Sequence, residues 1–224
     1  MGKKVIINGA TGMVGRGVLL ECIDDKRIEK ILVLTRRPLE IESEKVEQIV
    51  QKDFFNFSDH FDRFKEYDAC FYCLGVSSVG MKEKEYNEVT YKMTLHLAKL
   101  LSECNPDCVF NYVSGKGTDV SEKTKSKWAR VKGKTENKIE ALPFKSSNMF
   151  RPGMIIPLKG IRSRTGWYNT VYSFVRPLSP LINKLSKTPM LTTEMMGKAM
   201  IASISGKKGH HKLESKDIVE LAKS

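Results

Sequence analysis

Three glycines spaced three apart mark the stretch of this chain best suited to chemistry. Asn8-Gly9-Ala10-Thr11-Gly12-Met13-Val14-Gly15 follows an apolar run and opens a helix-like one. Gly9 permits a tight turn. Gly12 lets backbone approach a pyrophosphate with no side chain between, and Gly15 lets a helix pack close to a strand. The amides around Thr11, Met13 and Val14 then face the phosphates, with the partial positive charge of a helix N-terminus behind them. About 20 residues beyond such a turn, chains that bind NAD place a carboxylate on the ribose 2′-hydroxyl. Here that place holds Thr35-Arg36-Arg37-Pro38. Two guanidiniums with no carboxylate suit a 2′-phosphate, which Arg holds through two parallel hydrogen bonds. The cofactor expected is NADP(H) rather than NAD(H).

Other reactive residue types point to less. Cys70 and Cys73 form a C-x-x-C, but inside Ala69-Cys70-Phe71-Tyr72-Cys73-Leu74, which reads as a buried strand of core thiols. No second pair stands at metal spacing, and of the histidines only His210 and His211 adjoin, so no metal site is expected. Five unpaired-looking cysteines fit a reducing, cytoplasmic setting. Lys and Arg outnumber Asp and Glu by 38 to 26, a net charge of +12, which favours an anionic ligand without naming it.

The elements that must hold these residues alternate. Apolar runs at 4–8, 31–34, 46–50, 68–74, 108–113 and 147–150 read as strands. Apolar residues recurring at three and four positions mark helices at 13–23, 83–104, 121–142, 193–204 and 216–222. Strands separated by helices imply a parallel sheet with crossover helices on both faces, a doubly wound α/β fold. No repeat or linker divides the chain. It reads as one domain over 1–224, with a nucleotide-binding core at 1–153 and a smaller substrate-side portion at 154–224. No apolar run reaches the ~20 residues of a membrane span, and the first residues show no secretory signal.

Several blocks together carry a resemblance. The turn from Gly9 to Gly15, the Arg36-Arg37 pair, Asp53-Phe54, Cys73-Leu74-Gly75, Ser114, Lys132-Gly133 and Phe150-Arg151-Pro152-Gly153 resemble the short-chain dehydrogenase/reductase superfamily. Within it the likeness is to the atypical branch that holds the Tat-interacting oxidoreductase-like proteins and bacterial nucleoside-diphosphate-sugar epimerase-like proteins. It runs in order from Gly9 to about Ala199. The resemblance implies a Rossmann fold. It implies that Asp53 and Phe54 contact the adenine, that Cys73, Leu74 and Gly75 pass the nicotinamide ribose, and that Arg151, Pro152 and Gly153 lie beside nicotinamide and substrate. Asn87 and Thr90 match part of an Asn-x-x-Gly-Thr stretch, with Val89 in place of the Gly.

Catalysis in that superfamily rests on a Tyr, a Lys four residues later and a Ser from the preceding strand end. Ser114 and Lys132 match. The position four before Lys132 is Trp128, whose indole N–H is a donor only and cannot serve as a general acid. Three accounts follow. Another group supplies the proton, with Tyr112 the first candidate, two residues before Ser114 on the same strand face, and Lys116 and Asp119 on the loop beyond. Or the acceptor needs no such acid, as an activated alkene or quinone would not. Or the protein binds NADP(H) without turnover, as a sensor or scaffold. The function expected is an NADP(H)-binding oxidoreductase-like or epimerase-like protein acting on a small molecule. Helices 83–104 and 121–142 are the expected homodimer faces by resemblance. A nucleic-acid role on the basic runs at 121–140 and 206–212 is set against the lack of interleaved aromatics. A membrane role for Trp167, Tyr168, Tyr172 and Phe174 is set against their use in lining a pocket.

Overall fold

The structure, a computed structural model, describes residues 2–161 and 189–224. The chain enters through β1 (Lys3–Asn8), turns at Gly9 and runs into α1 (Met13–Asp24), then β2 (Ile28–Thr35) and β3 (Val46–Val50). A short α2 (Phe61–Phe64) leads to β4 (Ala69–Tyr72). The next helical stretch has three parts: α3 (Glu83–Asn87), a π-helical turn (Glu88–Lys92) and α4 (Met93–Cys104). After β5 (Val109–Val113), α5 (Lys127–Glu140) and β6 (Ser146–Arg151) come β7 (Ile155–Ile156), β8 (Leu191–Thr192), α6 (Thr193–Ser203), β9 (Gly209–Glu214) and α7 (Ser215–Leu221). Seven strands form one parallel sheet in the order β3-β2-β1-β4-β5-β6-β9. This is the doubly wound Rossmann-type α/β fold that the alternation of elements implies.

The inner strands read as near-continuous apolar runs because helices cover them on both faces. Along β1, Val5 and Ile7 point into one core layer with Val18, Leu19 and Cys22 of α1 and Met196 and Met200 of α6. Ile6 points into the other, with Leu97 and Leu101 of α4, Ile139 of α5 and the rings of Phe57, Phe64, Tyr72 and Phe110. The close contact of α1 with α6 rests on small residues. A Cβ on Gly17 would come within 2.5 Å of Thr193, and one on Gly197 within 2.5 Å of Glu21.

The core expected at 1–153 also takes in later residues. Residues 193–221 return to the core, where α6 packs on α1 and β9 pairs with β6 along its whole length, from Ser146↔Gly209 to Arg151↔Glu214. The seventh strand escaped the sequence because Gly-His-His-Lys-Leu-Glu is an edge strand, apolar at one position only, and reads as a basic run. Two helix expectations also shift. The helix placed at 121–142 starts at Lys127, because the Asp119 carboxylate holds the amides of Ser121, Lys123 and Thr124 in a capped turn. The helix at 83–104 contains a π-turn, invisible to a 3.6-residue pattern. The aromatic residues Trp167, Tyr168, Tyr172 and Phe174 lie outside the described residues.

Candidate functional site

The glycine turn has the geometry its spacing requires. Gly9 takes φ +87° and sits against the end of β4, where a Cβ would come within 2.5 Å of Leu74 N. Gly15 lies on the turn itself, a would-be Cβ 2.2 Å from Gly9 O. Gly12 differs. Its Cβ would meet only Gly9 O, at 3.3 Å, so the protein leaves the space in front of it open. Gly12 also caps α1 without a side-chain hydrogen bond, and the first turn, with Met13 and Val14, holds no acidic residue. The amides and the helix-end charge are therefore available to an anion. At the end of β1, Asn8 is fully buried and neither polar atom of its side chain has a partner among the described residues. Nothing in its spacing marks it.

Two cavities of about 530 Å³ each meet at Thr11. One is walled by Thr35, Arg36, Arg37 and Lys52, with no carboxylate among the described residues that line it. Arg36, Arg37 and Lys52 are exposed, and their side chains have no hydrogen-bond or ion-pair partner among the described residues. Thr35 holds the turn that presents them, its hydroxyl donating to Arg37 O at 2.7 Å. The second cavity runs past Gly12 to Leu39, Arg16 and Lys159. The Arg16 side chain, half-buried, also has no partner among the described residues. Sequence reasoning missed Arg16 and Lys52. Arg16 directly follows the third glycine, where the first helical turn puts it back over the loop, and that was the available signal.

Around this cleft the expected cofactor residues fall into two sets. Cys73 N donates to Asn8 O at 2.9 Å, which brings Cys73, Leu74 and the exposed Gly75 beside the glycine turn. Burial pushes the Cys73 thiol up to about 12. Asp53 is exposed and caps its own loop by accepting from Phe55 N at 2.9 Å. The Phe54 ring instead points into the core, edge-on to Phe57 at 5.3 Å, and is not presented to the cleft. Arg151 is engaged within the protein. Its Nε donates to the fully buried Glu136 at 3.0 Å, another nitrogen pairs with the same carboxylate, and a third reaches Glu214 at 3.5 Å. The guanidinium thus ties α5, β6 and β9 together and is not offered to a ligand. Pro152 O accepts from Lys116 N, and Gly153 N donates to Ser215 Oγ.

At the end of β5, three residues named from the sequence come together. Lys132 Nζ donates to Val113 O at 3.0 Å and to Ser114 O at 2.6 Å. Desolvation lowers its pKa from 10.5 to about 8, against the pull of Glu136. Ser114 Oγ donates to Phe150 O at 3.2 Å. The Trp128 ring, one helical turn before Lys132, lies against the turn after Ser114, where a Cβ on Gly117 (φ +88°) would sit 3.5 Å from it. Trp128 Nε1 has no partner among the described residues. Gly133 lets α5 approach this loop, since a Cβ there would lie 1.8 Å from Asp119 O.

Two of the proton donors expected from the sequence are corrected. Tyr112 is 1% exposed and its ring belongs to the core layer under α4 and α5. Burial raises its hydroxyl well above the ordinary value. Asp119 accepts four hydrogen bonds from Ser121, Lys123 and Thr124, which lower its pKa and keep it ionised. Asn87 and Thr90 flank and enter the π-turn, and Thr90 is buried with its hydroxyl unpartnered.

Residues 5–137 match the NAD dependent epimerase/dehydratase family. Protein HTATIP2 of Rattus norvegicus is 30% identical over 156 residues, which cover 69% of this chain and 63% of that protein. Protein FMP52, mitochondrial, of Saccharomyces cerevisiae is 25% identical over 229 residues, covering 98% of this chain and 96% of that one. The corresponding protein of Meyerozyma guilliermondii is 24% identical, and the match spans 65% of its length. Among solved structures, a UDP-N-acetylglucosamine 4-epimerase from Methanobrevibacter ruminantium M1, in complex with UDP-N-acetylmuramic acid, superposes with a TM-score of 0.70 at 16% identity. The overlap covers 95% of this chain and 76% of that one. The Bordetella bronchiseptica enzyme WbmF in complex with NAD+ gives 0.70 at 13% identity, covering 99% and 77%. These two show a shared fold. The relatives named FMP52 are mitochondrial by name, and this overturns the cytoplasmic expectation. Free thiols report a reducing environment, and buried ones such as Cys22, Cys70 and Cys108 hardly report even that.

Proposed function

The chain belongs to the NAD-dependent epimerase/dehydratase family, whose cofactor is a nicotinamide adenine dinucleotide, and from that membership we propose an NADP(H)-binding oxidoreductase-like protein for a small-molecule substrate. One observation carries the cofactor choice: Arg36, Arg37 and Lys52 line one cavity, unpaired among the described residues and with no carboxylate in its wall. A 2′-phosphate answers that charge and a bare ribose does not. The pyrophosphate takes the open space before Gly12, against the amides of Thr11, Met13 and Val14. The backbone of Asp53 and Phe54 bounds the adenine, and Cys73, Leu74 and Gly75 pass the nicotinamide ribose. Of the strand-end residues Arg151, Pro152 and Gly153, the latter two would flank the nicotinamide through the backbone held by Lys116 and Ser215. When bound, the cofactor supplies or accepts a hydride. Lys132 keeps a third N–H for the ribose beyond the two held by Val113 and Ser114. Ser114 and Trp128 form the substrate wall, with Trp128 in the place of the family's tyrosine.

Fluorescence titration with NADPH and with NADH tests the assignment. Wild-type protein should prefer NADPH, and Arg36→Asp should reduce that preference by about tenfold or more, the loss of one charge-assisted contact. An unchanged ratio in the variant would sink the assignment.

A second reading, a cofactor-binding sensor without turnover, is favoured by Trp128 and by the burial of Tyr112. Trp128→Tyr separates the two. Reductase activity that appears only in this variant, on a panel of carbonyl compounds, supports the sensor for the wild-type chain. Activity in the wild-type chain supports the enzyme.

A further inference from the structure

A reaction that hands a hydride to a carbonyl carbon also needs a proton for the oxygen, and Trp128 cannot give one. The phenols near the end of β5 differ in their access to water. The hydroxyls of Tyr72 and Tyr112 are sealed in the core layer under α4 and α5, with no partner among the described residues. Tyr86, on α3, is only 1% exposed, so packing fixes its ring. Its hydroxyl also lacks a hydrogen-bond partner among the described residues, yet it is not sealed: water reaches the oxygen at the tip of the buried ring.

Two ties between the helical stretch and α5 set its place. Arg130 donates to Glu83 Oε1 at 2.7 Å, one turn before Tyr86, and Thr135 Oγ1 donates to Thr90 O at 3.4 Å, one turn after it. The two elements therefore run side by side in the same direction, and Tyr86 falls level with the turn of α5 that carries Val131 and Lys132. A third tie, from Lys127 Nζ to Met81 O at 2.5 Å, holds the chain that leads into α3. Tyr112 connects the two side chains. Lys132 Nζ lies 5.6 Å from the centre of the Tyr112 ring. After burial itself, the Tyr86 phenol does most to raise the Tyr112 hydroxyl, more than Tyr72, whose ring centre is 6.1 Å away. The Tyr86 hydroxyl thus stands close to Tyr112, beside the Lys132 turn. Burial raises the Tyr86 hydroxyl above its ordinary value, against the pull of the Thr90 hydroxyl, and so keeps it protonated at neutral pH. An alkoxide forming on a substrate is a far stronger base than a phenolate, so the proton still moves from phenol to substrate.

We propose that Tyr86 is the proton donor of this protein, in the role that Trp128 cannot fill. The inference rests on the oxidoreductase reading above. A carbonyl compound held against Ser114 and Trp128 takes a hydride from NADPH at its carbon, leaving NADP+. The electron pair of the C=O π bond moves to oxygen, and that oxygen takes the Tyr86 proton to give an alcohol. The Tyr86 phenolate recovers its proton from the water that reaches it.

The test has two arms, both on the full chain. In the first, NMR of ¹³Cζ-labelled tyrosine follows saturation with NADPH, the Tyr86 signal being assigned from Tyr86→Phe. The Tyr86 signal should move while that of Tyr67, before β4, stays in place. Fluorescence that reports bound NADPH beside an unmoved Tyr86 signal would overturn the proposal alone. No NADPH binding would overturn the nucleotide reading and the proposal together. In the second arm, NADPH oxidation is measured with benzaldehyde, whose reduction needs an acid, and with menadione, a quinone that needs none. Tyr86→Phe, its fold checked by thermal unfolding, should lower kcat on benzaldehyde at least about a hundredfold more than on menadione. An equal loss on both would overturn the proposal. So would an undiminished rate on benzaldehyde, or a wild-type chain that binds NADPH and leaves benzaldehyde unreduced.

Discussion

Burial takes the Lys132 ammonium from 10.5 down to about 8 although two carbonyls accept its protons. The folded protein therefore holds this proton less tightly than the unfolded chain. The contribution to stability is fully present above the unfolded value and is lost as pH falls through about 8. Wild-type protein should gain stability between pH 8 and 10.5 relative to Lys132→Met, measured by urea unfolding across that window. Coincident slopes for the two proteins would show that Lys132 is solvated. The same side chain should be acylated by trace acetic anhydride with a midpoint near 8 and be shielded by NADP+. Residues of this kind were legible in the sequence where the chemistry is local. Arg36 and Arg37 announce themselves by type and by distance from Gly15, whereas Lys132 stands out only through the likeness of Val131-Lys132-Gly133 to the family. Tyr112 was misplaced because the period of a strand gives a face, while its depth in the fold decides whether that face meets solvent. Arg151 was misassigned because its partner, Glu136, lies on another element and cannot be seen from the strand end.

At the scale of elements, the three glycines of the turn do different work, and single substitutions should separate them. Gly15→Ala drives a Cβ to 2.2 Å from Gly9 O and forces backbone to move. A loss of about 1–3 kcal/mol is expected from such overpacking. Gly12→Asp has open space to enter, with only Gly9 O near, at 3.3 Å. It should keep most of the stability while placing a carboxylate where phosphates would lie, and so abolish dinucleotide binding. Thermal unfolding and the NADPH titration, run together on both variants, check this pairing. Equal destabilisation by the two would contradict the distinction. Most elements were readable from periodicity, including α6 and α7. The elements that were not readable are those whose pattern is set by neighbours. β9 alternates half-buried with exposed residues and, among the described residues, pairs with β6 alone, so its residues need not be apolar. The loop before α5 carried a helix-like spacing, but the Asp119 carboxylate claims amides that a helix would use.

Across the whole molecule, the parallel sheet and its two core layers follow from the alternation of apolar runs and helices, and that much was legible. The way the chain closes was not. Residues after 188 come back to complete the sheet and to cover α1, a long-range arrangement that no local window contains. The cleft between the glycine turn and β3 then combines two properties: cations with no partner among the described residues, and a chain whose net charge is +12. Those charges act on a dinucleotide before it arrives, drawing it toward Arg36, Arg37 and Lys52 from beyond contact distance. Capture becomes a matter of ionic strength. Raising salt from about 20 mM to about 0.5 M shortens the Debye length to well under 10 Å. The association rate of NADPH should then fall more than that of NADH, while dissociation changes less. In stopped-flow measurements the two cofactors should grow more alike as salt rises, so the discrimination would belong as much to the approach as to the bound state.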